Sequence, residues 1–169
     1  MMTKTKTIKM LLYDGSLNGV TNISDSAWES GKMYSAPRES IGNLITRADC
    51  KKYGVYLLLS DHQVYVGQAV DLERRTKQHL TDKDWWTQVV LMTTKDDSFN
   101  ASDIDYLEAR LINLANIYAK YQERSEEIGK KLMSFDRQSW SSISMKRFSF
   151  WSLLGSEFSK RKRRKLVKQ

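Results

Sequence analysis

The stretch 54–80, GVYLLLSDHQVYVGQAVDLERRTKQHL, constrains the fold more than any other part of this chain. Apolar, β-branched and aromatic residues run on both sides of Asp61-His62, which is the signature of a β-hairpin. A strand over 54–60, a tight turn, a second strand over 63–67 and a helix from near Asp71 are expected. If Ser60 and Gln63 flank a two-residue turn, Leu58 faces Tyr65 and Tyr56 faces Gly67. Both tyrosines then share one sheet face, and Gly67 leaves open space beside Tyr56. A loop of odd length would place them on opposite faces instead.

The helix has a good N-cap in Asp71 and a favourable first-turn acid in Glu73. At about 100° per residue, Arg75 and His79 fall on either side of Leu72, the residue that should pack on the sheet. Glu73, Arg74, Lys77 and Gln78 point away. A guanidinium and an imidazole beside the packing face, close to two tyrosines, suit a lined cleft. They equally suit a snorkelling arginine and a satisfied boundary histidine, and residues 71–80 alone leave both readings open.

Later in the chain, residues 102–122 read as the clearest helix, with Ser102 as cap and Asp105 as a weak capping-box acid. Ile104, Leu107, Leu111, Leu114, Ala115 and Tyr118 form its apolar stripe, and Glu108 lies inside that stripe. A carboxylate buried there is costly unless it is paired or binds a metal.

Gly54-Val55-Tyr56, then Tyr65-Val66-Gly67, then Arg75, His79 and Glu108 together resemble the GIY-YIG endonuclease family over roughly residues 52–118. The resemblance implies an α/β (α+β) fold, a small three-stranded antiparallel sheet flanked by helices. It also implies a metal-dependent endonuclease that hydrolyses DNA phosphodiester bonds, leaving 5′-phosphate and 3′-hydroxyl ends. Tyr56, Tyr65, Arg75, His79 and Glu108 take the family's catalytic places, with Glu108 holding Mg²⁺ or Mn²⁺. In chemical terms, one tyrosine activates or orients water. A phenol with an ordinary pKa of about 10 needs a nearby cation for that near neutrality. Arg75 offers such a cation and a planar fork for the phosphate. A single carboxylate with waters and phosphate oxygens suits Mg²⁺. His79 can assist proton transfer or bind phosphate. The family also tends to place an asparagine after the glutamate; Asn113 and Asn116 come too early, and no residue takes that role. A non-catalytic DNA-binding module with the same fold is the competing expectation. A structural protein with Glu108 ion-paired to Arg75 is a third.

The rest of the chain divides into an N-terminal β/α support segment (1–50), the nuclease-like core (51–123), a loose helical and serine–aromatic segment (124–157) and a basic tail (158–169). Residues 4–13 and 20–23 read as paired strands around Asp14-Gly15, and Ser35-Ala36-Pro37 as the opening of a helix with Ile41, Leu44 and Ile45 on its apolar face. Arg38 and Arg47 read as solvated helix charges. A third core strand spans 87–94, with Val89 and Leu91 on one side and Val90 and Met92 on the other. Trp85 and Trp86 invite a base-stacking role, but one capping the core and the other on the surface is the plainer reading.

Charge is concentrated at the end. Residues 158–169 hold seven lysines and arginines and no acid, so removing them from the net +8 leaves +1 for the body. Lys160, Arg161, Lys162, Arg163, Arg164 and Lys165 form an unbroken block, expected to be disordered alone and to contact DNA phosphates without reading sequence. One cysteine, Cys50, excludes an intramolecular disulfide and a thiolate zinc cluster. No apolar segment has the length of a signal h-region or a membrane span, so a soluble cytoplasmic protein is expected.

Overall fold

In the computed structural model, residues 5, 7–61 and 63–132 are described, with side chains to residue 117. Six antiparallel strands form one sheet: β1 (Ile8–Leu12), β2 (Thr21–Asp25), β3 (Trp28–Pro37), β4 (Gly54–Leu59), β5 (Val64–Ala69) and β6 (Gln88–Thr94). Their spatial order is β1-β2-β3-β6-β4-β5. The helices are α1 (Ile41–Ile45), α2 (Leu72–Asp82) and α3 (Ala101–Leu132). The chain divides after Ala109 into two units, and the sheet with α1 and α2 lies wholly in the first.

The expected mixed α/β class holds, and the three-stranded sheet is corrected to six strands. The expected trio survives as β6-β4-β5, but β3 pairs with β6 from Gly31↔Thr94 to Pro37↔Gln88 and joins the N-terminal hairpin to it. The first fifty residues therefore share the sheet of the nuclease-like core. Strand β3 also runs through Ser35-Ala36-Pro37, so the helix expected to open there starts later, at Ile41 after a 3₁₀ turn over Arg38–Ser40. Its sequence, WESGKMYSAP, is poor in β-formers, yet neighbours on both sides satisfy its backbone, and tertiary pairing overrides weak propensity. Pro37 sits at its last position, where a missing N–H costs least.

The two-residue turn gives the expected register. Tyr56 pairs with Gly67 and Leu58 with Tyr65, while Ser60 N–H donates to Gln63 O at 2.9 Å. The Tyr56 face of the sheet carries the main core, in which Leu44, Leu58, Leu72, Trp86 and Leu91 are fully buried. Burying each such leucine contributes about 1.5–3 kcal/mol. Ile41, Leu44 and Ile45 of α1 all join that core, as their spacing predicts. Helix α2 starts where expected, with the Asp71 carboxylate accepting from Arg74 N–H at 2.9 Å.

Two polar assignments change. Arg38 is not a solvated charge: it donates to the carbonyls of Lys83 (2.7 Å) and Leu80 (2.8 Å) at the end of α2 and stacks on Trp86 at 4.3 Å. Arg47 stacks on Tyr13 at 4.6 Å. Helix α3 is capped by Asn100 rather than Ser102, in a reciprocal box: Asp103 N–H donates to Asn100 Oδ1 and Asn100 N–H to Asp103 Oδ2. Among the described residues no helix is long and apolar enough to cross a membrane.

Candidate active site at the tyrosine pair

Strand β4 presents Tyr56 toward α2, and α2 presents Arg75 and His79 toward the sheet. The Tyr56 hydroxyl lies 2.7 Å from His79 Nε2 and accepts from Arg75 Nε at 3.4 Å. Tyr65 completes the group: its ring centroid is 6.1 Å from that of Tyr56 and 5.7 Å from the imidazole, edge-on to the latter. Gly67 makes this packing possible, because a Cβ there would overlap the Tyr56 hydroxyl. Four of the five expected site residues, drawn from two strands and a helix, thus converge.

The electrostatics follow from burial and from two cations. Tyr56 is fully buried, and desolvation pushes its phenol up to about 12 despite the Arg75 guanidinium beside it. It is therefore a protonated donor, and the imidazole accepts. Burial first, then the charges of Arg75 and Lys83, hold His79 below its ordinary value, with Asp82 opposing weakly. His79 is neutral at pH 7, with its proton on Nδ1, a buried atom without a partner among the described residues. The Arg75 guanidinium is held in its charged form chiefly by the hydrogen bond to Tyr56. Tyr65, unlike Tyr56, is only half-buried and keeps access to solvent.

A recess of about 410 Å³ opens beside the cluster, lined by Arg74, Arg75 and Gln78 of α2, by Gln68 and Ala69 at the end of β5, and by Val70 and Asp71 between them. Arg75 Nη1 donates to Gln78 Oε1 at 2.6 Å, which aims the guanidinium along the recess wall. Arg74 and Gln78, which the helix phase directs away from the sheet, are thus part of the recess lining. The i,i+3 spacing of Arg75 and Gln78 is the sequence signal for their contact.

Glu108 is the fifth expected site residue. It lies on α3, half-buried, and makes no hydrogen bond or ion pair with any described residue. The turn before it meets the sheet through Gln68 Nε2, which donates to Asp105 Oδ1 at 2.6 Å. Gln68 pairs with Val55, so its side chain belongs to the sheet face opposite Tyr56. Helix α3 thus meets the edge strand β5 at Gln68, which also lines the recess, and Glu108 lies one turn beyond Asp105. The Arg75–Glu108 ion pair of the structural alternative does not form; Arg75 bonds Tyr56 and Gln78 instead.

Among the described residues no three histidine, cysteine, aspartate or glutamate side chains are grouped to hold a metal. The uncommitted Glu108 carboxylate fits the one-carboxylate mode of Mg²⁺ binding. Trp86 is core, its indole N–H donating to His79 O at 3.3 Å, and Trp85 is half-buried against the same cluster. Residues 160–165, the expected phosphate-binding block, lie outside the described residues. No family model matches the chain, and no curated protein or solved structure matches it significantly.

Proposed function

We propose that this protein is an endonuclease that hydrolyses DNA phosphodiester bonds with a divalent metal ion. The observation that carries the proposal is the Tyr56 hydroxyl between His79 Nε2 and Arg75 Nε, beside a solvent-accessible Tyr65. Exposure divides the tyrosines' roles. Tyr65 orients the attacking water and takes its proton, handing its own to the Tyr56 oxygen as the Tyr56 hydroxyl gives its proton to His79 Nε2, so that both phenols end neutral and the imidazole carries the proton. Arg75 reaches both the phenol and the recess, so its guanidinium binds the scissile phosphate as charge builds on it. Glu108 would hold Mg²⁺, which would supply charge compensation at the scissile phosphate. The basic block 160–165 adds affinity for any DNA through counterion release.

A Glu108 carboxylate with no hydrogen bond or ion pair to the described residues favours one alternative, a DNA-binding module that does not cleave. Incubation with supercoiled plasmid and with branched DNA decides between them. The nuclease reading expects nicking in Mg²⁺ that EDTA stops and Glu108→Ala abolishes, with Glu108→Ala still folded. DNA bound but uncut under every metal condition would leave only the binding module. Deletion of 158–169 should weaken binding and keep the cleavage sites. It should also flatten log K against log salt by about 0.9 for each phosphate the tail had neutralised.

A further inference from the structure

Lys83 is the first residue beyond α2, and its backbone is fixed from two sides. Its N–H donates to His79 O at 3.2 Å, and its carbonyl accepts from Arg38 Nη1 at 2.7 Å. From that anchor its ammonium stands 4.8 Å from the centroid of the Tyr65 ring. Tyr65 in turn stands edge-on to His79. Two cations therefore flank the imidazole, Arg75 on the Tyr56 side and Lys83 on the Tyr65 side. The other groups facing it are the two phenols and, more weakly, Asp82.

We propose that Lys83 is a positioning residue of this cluster, whose ammonium, pinned over the Tyr65 ring, joins Arg75 in favouring His79 Nε2 as the acceptor for the Tyr56 hydroxyl. The hydrogen bond has a direction to protect. A doubly protonated imidazole has no lone pair, so Nε2–H would have to donate to the Tyr56 oxygen. The phenol would then lose its proton acceptor while keeping the same heavy-atom distance. Burial disfavours the imidazolium first, and the charges of Arg75 and then Lys83 disfavour it further. Arg38, by fixing the carbonyl of Lys83, links this arrangement to the end of α2.

The test follows the His79 ring protons by NMR across pH, in a His62→Gln background that leaves His79 the only histidine. In Lys83→Gln the titration midpoint should rise, and in Lys83→Arg it should stay where it is. An unchanged midpoint in Lys83→Gln overturns the proposal. The activity arm rests on the nuclease reading: the acid limb of kcat should move to higher pH in Lys83→Gln, with KM for DNA unchanged. A raised KM with an unmoved pH profile would make Lys83 a phosphate contact instead, and also overturns the proposal. If the protein cuts no DNA, the titration alone decides, so the two readings fail separately.

Discussion

Tyr34 and Tyr56 occupy equivalent places in one sheet and do different things. Both pair with Leu91, Tyr34 from β3 and Tyr56 from β4, and both are fully buried on the same face. Burial raises both phenols. Their partners differ. The Tyr34 hydroxyl donates to Asp49 Oδ2 at 2.7 Å, and Lys32 Nζ meets the same oxygen at 2.6 Å. Phenol, carboxylate and ammonium there satisfy one another, with charge balanced and no reactive state within easy reach. Around Tyr56 the partners are a neutral imidazole and a guanidinium, with no carboxylate in contact. An acceptor able to take a proton and a cation with free donors leave that cluster chemically open. Partner chemistry, and not backbone position, separates a tyrosine that holds the fold from one suited to a reaction.

The largest expected effect breaks the comparison outright if it fails. Arg75→Ala should lower the DNA cleavage rate by about 10²–10³-fold, the cost of losing one donor to a transition-state charge. The unfolding midpoint should barely move, since surface-side changes are usually within about 0.5 kcal/mol. Arg47→Ala, which removes the guanidinium 5.7 Å from the Tyr34 ring centroid, should leave cleavage intact. Equal activity in both variants would remove the distinction between the clusters. Next comes Gly67→Ala, which drives a methyl group into the Tyr56 hydroxyl. Overpacking of this kind costs about 1–3 kcal/mol. Urea unfolding and plasmid nicking should both show the damage, because the displaced ring is the one bonded to His79.

Much of the open cluster was legible in the sequence because its signals are local. A two-residue turn fixes register, so the spacing of Tyr56, Tyr65 and Gly67 predicts one face, and it is the observed one. The phase of α2 from Asp71 likewise predicts Arg75 and His79 beside Leu72. The closed cluster was not legible. Tyr34 and Asp49 are fifteen positions apart, and they meet only because β3, a strand with weak propensity, is held between β2 and β6. The surroundings of Glu108 depend on tertiary packing in a similar way. The stripe containing it fixes which side of α3 packs but not which face of the sheet receives it. Arg38 and Lys83 depend on contacts across more than forty positions, beyond any periodicity argument.

A smaller effect sharpens the contrast. Tyr34→Phe and Tyr56→Phe each remove one buried hydroxyl and leave its partner, the half-buried Asp49 or the buried His79, short of a hydrogen bond, at a cost of about 1–3 kcal/mol. The two should therefore look alike in thermal unfolding. They should differ in cleavage: Tyr34→Phe stays near wild type, whereas Tyr56→Phe, which removes the link between Tyr65 and the imidazole, loses most of its activity. A Tyr34→Phe protein that folds but no longer cuts would mean that the closed cluster also serves the reaction.

The smallest effect separates the clusters by pH. Burial pushes the Asp49 carboxyl up, but hydrogen bonds from Lys32 and Tyr34, with the charges of Lys32 and Lys52, outweigh it and hold the group below its usual range. A carboxyl lowered on folding contributes stability above its unfolded value, about 3.9, and loses it as pH falls through the folded value. His79 is lowered by burial and then by Arg75 and Lys83. For a base lowered on folding, the unfolded chain takes up its proton first. Its contribution is therefore complete above about pH 6.5 and erodes as pH falls from there toward the folded value. Urea midpoints measured from pH 8 to pH 3 should show two separate losses. His79→Gln, in the His62→Gln background, should flatten the slope just below pH 6.5 and leave the acid limb alone. Asp49→Asn should do the reverse, flattening the limb below about pH 4. A slope near pH 6 that survives His79→Gln would mean that the imidazole is not held neutral by the fold, and the open cluster would lose the proton acceptor on which its chemistry depends.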